Sequence, residues 1–75
     1  MELPASIAAQ YKRLAKRHNR PVVLVKHAMM AVPSMMGGQL PTDLKLARAQ
    51  AIEMLDAGFE AAWIVQETTV TEVTR

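Results

Sequence analysis

The clearest hydrophobic pattern lies near the start of the chain. Apolar or amphipathic side chains recur there at the spacing of one helical face, at Ile7, Tyr11, Leu14 and His18. Pro4 suits the first turn of a helix, and Asn19 followed by a proline suits its end. The pattern predicts a helix over residues 4–18.

A second helical stripe follows in the middle of the chain, at Leu44, Ala47, Ala51, Met54 and Leu55. It predicts a helix over residues 42–57, with Thr42 as the N-cap. Gly58 is placed to end this helix, and Phe59 can fold back onto Met54.

Between these helices the pattern is less decisive. The β-branched run after Pro21 favours a short strand over residues 22–26, followed by a helical turn over 27–32 and a loop over 33–39. A helix over residues 21–32 is the rival interpretation, because periodicity cannot separate a short buried strand from a buried helical segment.

The C-terminal region is rich in β-branched residues and contains neither Gly nor Pro between residues 62 and 74. It predicts one long strand. Thirteen extended residues span about 40 Å, whereas a domain of this size has a radius of gyration of about 11 Å. We therefore expect this strand to pair with a second copy of the chain, through Trp63, Val65, Thr69, Val70 and Val73.

Together these elements predict a single small domain over residues 1–75 of the α+β class, with two amphipathic helices packed on a small sheet that has a long C-terminal strand. The alternative is an all-α helical hairpin dimer. The chain has no cysteine, so no disulfide can stabilise so small a core. Association into a homodimer is the remaining source of stability that we expect first.

Charge is distributed unevenly along the chain. Its net charge is +2, but basic residues dominate the first helix and acidic residues dominate the second half. Five cations fall on the side of the predicted first helix that is opposite its apolar stripe, or just beyond its end: Lys12, Arg13, Lys16, Arg17 and Arg20. This cationic face can bind an acidic protein surface or the phosphates of a nucleic acid, or it can be a solvated surface without a partner.

Four methionines surround the predicted loop, at Met29, Met30, Met35 and Met36. Methionine lines adaptable apolar binding surfaces, and it also fills irregular cores. Arg48 falls on the apolar stripe of the second helix. It requires a carboxylate partner such as Glu60 or Glu67, or else it lies with its charged end at the edge of the stripe.

The chain offers little for catalysis. It has no nucleophile motif around Ser34 and no phosphate-binding glycine loop, and we expect no cofactor, no metal site and no small-molecule substrate. Its two histidines match no metal-ligand spacing, and His18 is expected to pack in the core. The first residues do not resemble a secretory signal, and no apolar stretch predicts a membrane segment. We therefore predict a non-enzymatic, cytoplasmic regulatory protein that acts by protein–protein binding, with nucleic-acid binding as the alternative.

Overall fold

One four-stranded antiparallel sheet organises the fold, with one helix on each of its faces. The structure is a computed structural model that describes residues 1–35 and 39–75. Its strands lie in the order β2-β1-β3-β4. The elements are α1 (Ala5–His18), β1 (Val22–Lys26), β2 (Ser34–Met35), α2 (Leu44–Asp56), β3 (Ala61–Val65) and β4 (Val70–Val73). The predicted α+β class is confirmed, and the all-α alternative is wrong because residues 22–26 form the strand β1.

The two faces of the sheet bury separate hydrophobic cores. Successive strand residues point to opposite faces, so Leu24 and Trp63 pack under α1, whereas Val25 and Ile64 pack under α2. The central strands β1 and β3 are therefore buried on both faces, apart from the half-buried Lys26. This explains why the two strands are nearly continuous apolar runs and do not alternate with polar residues.

The helix α1 has the predicted position and end. Pro4 precedes it, and Ala15 is buried on its inner face. Asn19 adopts the left-handed conformation with φ of 51°. The N–H groups of Asn19 and Arg20 donate to the carbonyls of Lys16 and Ala15 at 3.3 and 3.2 Å. These bonds satisfy the last carbonyls of the helix.

The N-cap of α2 is Asp43, one residue later than the predicted N-cap Thr42. The side chain of Asp43, and not that of Thr42, accepts a hydrogen bond from the N–H of Leu46 at 2.8 Å. At the other end Gly58 has φ of 109°, and Phe59 N–H donates to the Met54 carbonyl at 3.2 Å. The predicted helix stop at Gly58 is confirmed.

The predicted apolar stripe of α2 is only partly buried. Ala47 and Ala51 are completely buried against the sheet, while Leu44 in the first turn is 49% exposed. Arg48 is exposed. This agrees with the alternative in which its charged end lies at the edge of the stripe. The other alternative, a pair with Glu60 or Glu67, does not occur among the ion pairs of the described residues.

The prediction of a single long C-terminal strand is wrong. The chain turns back over residues 66–69, where Gln66 N–H donates to the Thr69 carbonyl at 2.8 Å, and β3 and β4 pair in an antiparallel hairpin. Two short strands side by side fit within one small domain, so the length conflict that predicted intermolecular pairing no longer exists.

The connection from β1 to β2 also differs from its prediction. Residues 27–30 form a turn and not a helical segment, with Met30 N–H donating to the His27 carbonyl at 2.9 Å. The segment predicted as a loop contains β2, which pairs with β1 through Leu24 and Met35. Met36 and the two glycines after it lie outside the described residues.

Candidate cationic binding surface

The predicted cationic face lies on the outer side of α1. Four of its members are exposed and Lys12 is half-buried. The helix presents them because its other side carries the residues that pack on β1 and β3, including Tyr11, Leu14 and Ala15. The structure therefore brings together on one surface the five cations that the sequence singled out, and we call this set the cationic face: Lys12, Arg13, Lys16, Arg17 and Arg20.

The cationic face is divided by residue type. Each residue of an α-helix is rotated by about 100° from the one before it. That step places Arg13 and Arg17 on the flank next to Leu14, which we call the arginine flank. It places Lys12 and Lys16 on the opposite flank, next to Ala15, which we call the lysine flank. Sequence periodicity alone could have revealed this division.

The arginine flank borders two shallow grooves that share Leu14. The first has a volume of about 230 Å³, and its lining includes Tyr11, Arg13 and Arg17. The second has a volume of about 240 Å³ and lies between the end of α1 and β2. Its lining is Leu14, His18, Arg20, Met35, Gln39 and Leu40. The sequence did not single out Leu40, because nothing in the local pattern shows that it lies beside β2.

His18 belongs to this surface and not to the core. The helical stripe predicted that it would pack inside, but it is the last residue of α1 and is exposed. At that position it borders the second groove together with Arg20.

Every Asp, Glu, Lys or Arg that lines the two grooves among the described residues is an arginine. Of the described residues that line them, three are arginines and none is Asp or Glu. The ion pairs of the described residues lie elsewhere, between the Met1 ammonium and Glu72 and between Arg75 and Asp56. On the side of Ala15, by contrast, Glu67 lines a cavity together with Arg20. No member of the cationic face forms an ion pair among the described residues, and of the cavities that the face borders only the one shared by Arg20 and Glu67 has a carboxylate in its described lining.

The predicted methionines differ in exposure and in their position relative to the cationic face. Met29 is 88% exposed in the turn after β1, and Met30 beside it is half-buried. Met35 packs against the core under α1 and also borders the second groove. Only Met35 therefore joins the surface formed by the cationic face, while Met36 lies outside the described residues.

The residues predicted to form a dimer interface lie mostly inside one chain. Trp63, Val65 and Val73 are 1%, 0% and 3% exposed, so their side chains are already covered by their own helices and strands. Trp63 also donates its indole N–H to the Met1 carbonyl at 3.2 Å. Thr69 is exposed at the hairpin turn, and Val70 is half-buried on β4.

Metal-binding and membrane-spanning features are absent from the described residues. Residues 1–35 and 39–75 contain no group of three or more His, Cys, Asp or Glu side chains placed to hold a metal ion. In these ranges neither helix combines the length and the apolar composition needed to cross a bilayer.

Comparisons with known proteins identify no relative of this chain. No family model matches the chain, and neither a curated protein nor a solved structure matches it. The function must therefore be argued from the surface itself.

Proposed function

We propose that this protein is a non-enzymatic regulatory module that binds an acidic protein through the cationic face of α1. The observation that carries the proposal is that four of the five cations are exposed and that none of the five forms an ion pair among the described residues. An exposed ion pair within the chain would compete with a partner's carboxylates, and here that competition is absent from the described residues.

The neighbouring apolar side chains support a protein partner over a nucleic acid. Leu14, Met35 and Leu40 line the groove beside Arg20, and such a mixture of apolar and cationic groups suits a polypeptide. Single-stranded nucleic acids are held by aromatic stacking as well as by cations. Of Phe, Trp and Tyr, α1 carries only Tyr11, which is half-buried against the core, and His18 is the one exposed ring of this helix.

We also propose that the chain forms a homodimer through the outer edge of β4, one of the two terminal strands of the sheet. Thr69 accepts a bond from Gln66, so its backbone groups point toward β3. Alternate residues of an antiparallel strand direct their backbone groups to opposite sides. Val70 and Glu72 therefore direct their N–H and C=O groups away from β3, where the β4 of a second copy could pair with them.

The test of the proposed function compares two charge reversals of equal size. Arg13→Glu with Arg17→Glu changes the cationic face, whereas Lys45→Glu with Arg48→Glu changes exposed residues of α2 on the opposite face of the sheet. Each pair lowers the net charge by four. Binding of fluorescent poly-L-glutamate, measured by anisotropy near physiological salt, should be lost in the first double variant and retained in the second.

Two outcomes would contradict the proposal. If the two double variants lose affinity equally, the attraction comes from net charge and not from the cationic face. If a short random DNA duplex binds more tightly than poly-L-glutamate, with an affinity that falls steeply with salt, the nucleic-acid alternative is the better one. The circular dichroism of each variant serves as the folding control.

A further inference from the structure

The arginine flank differs from the lysine flank in what lies next to it. Arg13 and Arg17 border a groove whose wall includes Leu14, and Arg20 borders the adjoining groove with Met35 and Leu40. Both grooves are smaller than the roughly 300–1,000 Å³ of pockets for drug-sized ligands. Each has room for single side chains of a partner.

Arginine is also the cation that best recognises carboxylates. Its planar guanidinium binds a carboxylate through two parallel hydrogen bonds, whereas the lysine ammonium acts as a point charge. The rise of an α-helix separates Arg13 from Arg17 by about 6 Å along the axis. Arg20 follows the left-handed Asn19 just beyond the end of α1. Alternate side chains of an extended peptide are about 6.7 Å apart on one side of its backbone.

From this match we infer that the two grooves along the arginine flank bind an extended acidic peptide segment in which carboxylate and apolar residues alternate. The carboxylates contact the guanidinium groups of Arg13, Arg17 and Arg20. The apolar side chains, which point to the other side of the peptide, pack on Leu14, Met35 and Leu40. This inference rests on the proposed function and names the part of the cationic face and the class of peptide that it uses.

Charge complementarity is the reason for assigning this occupant. The linings of both grooves hold three arginines and no carboxylate among the described residues, so an acidic segment supplies the missing charge. The second groove also lies against β2, which is the terminal strand of the sheet. Met35 of that strand supplies part of the apolar lining of this groove.

The experiment compares the two flanks with variants of equal charge. Arg13→Gln with Arg17→Gln alters the arginine flank, and Lys12→Gln with Lys16→Gln alters the lysine flank. The probe is the capped pentapeptide Glu-Leu-Glu-Leu-Glu, titrated into the full chain by calorimetry. We expect about a tenfold loss of affinity in the arginine variant and a change within about twofold in the lysine variant.

A second peptide tests the apolar contacts without changing any protein residue. Glu-Ser-Glu-Ser-Glu has the same charge and spacing but no leucine, and it should bind about tenfold more weakly than the leucine peptide. Equal affinity for the two peptides would overturn the inference, because the groove would then contribute nothing beyond charge.

The remaining outcomes separate this inference from the proposed function. If the two flanks contribute equally while poly-L-glutamate still binds, the cationic face binds acidic proteins but the grooves are not the site. If oligothymidylate binds more tightly than the leucine peptide and depends on the same arginines, the grooves take a nucleic acid and the inference is wrong. If neither the pentapeptide nor poly-L-glutamate binds at millimolar concentration, both proposals fail.

Discussion

The N-cap of α2 offers a sharp test of the fold, because two adjacent residues compete for the role. Thr42 is the cap that the sequence pattern predicts, whereas the structure assigns it to Asp43, whose carboxylate accepts the Leu46 N–H at 2.8 Å. Replacing an N-cap by alanine typically costs about 1 kcal/mol, within a range of about 0.5–2 kcal/mol. Asp43→Ala should show this loss, and Thr42→Ala should change the free energy of unfolding by less than about 0.5 kcal/mol.

For a domain of this size, 1 kcal/mol lowers Tm by about 4–8 °C. In urea the midpoint should fall by roughly 0.5–1 M if m is about 1–2 kcal/mol/M. The fluorescence of Trp63, which is 1% exposed in the native chain, reports the transition. Asp43→Asn keeps the acceptor oxygen and removes the charge, so it should retain most of the stability and isolate the interaction with the helix dipole. A larger loss for Thr42→Ala than for Asp43→Ala would refute the assigned cap.

Three further substitutions test other features, each by urea unfolding. Asn19→Ala should lower the free energy of unfolding by about 1–2 kcal/mol, because alanine adopts the left-handed conformation poorly, whereas Asn19→Gly should not lower it. Equal losses of stability in the two variants would argue against the left-handed conformation. Ala51→Leu should cost about 1–3 kcal/mol because α2 lies close to the sheet there, and Ala9→Leu on the exposed side of α1 should be nearly neutral. If both leucines are tolerated, α2 is not closely packed. Glu72→Gln should cost less than about 1 kcal/mol because its pair with the Met1 ammonium is solvent-exposed, and a greater loss would show that this contact holds the N-terminal segment on Trp63.

The helices and the first strand could be predicted because their signals are local. The position of α1 follows from its apolar stripe and from Asn19, and the end of α2 follows from Gly58. The strand β1 follows from its β-branched run. In each case neighbouring residues favour the conformation that the fold adopts, so no information about distant contacts is needed.

The hairpin of β3 and β4 could not be predicted from local signals, since its turn contains neither Gly nor Pro. Its threonines have a high strand propensity and conceal the reversal. The conflict between a strand of about 40 Å and a domain whose radius of gyration is about 11 Å is itself a signal of a turn. The antiparallel pairing of β3 with β4 resolves it within one chain, so the conflict does not require a second copy.

The candidate site was predictable to a similar extent. Helical periodicity was enough to place the cationic face on one side of α1. The grooves required knowledge of what packs beside the helix, since Met35 and Leu40 come from a different part of the chain. The prediction that Leu44 is buried is wrong. The angular position of a residue on a helix shows which side it faces, but it does not show whether another element covers that side.

The separation of the two hydrophobic cores has a consequence for how this chain tolerates change. No described side chain belongs to both cores, and the sheet lies between them. Substitutions at sites without shared partners combine almost additively in free energy. A replacement under α1 should therefore be compensated by neighbours on that side alone, so that the two halves of the interior can diverge independently during evolution.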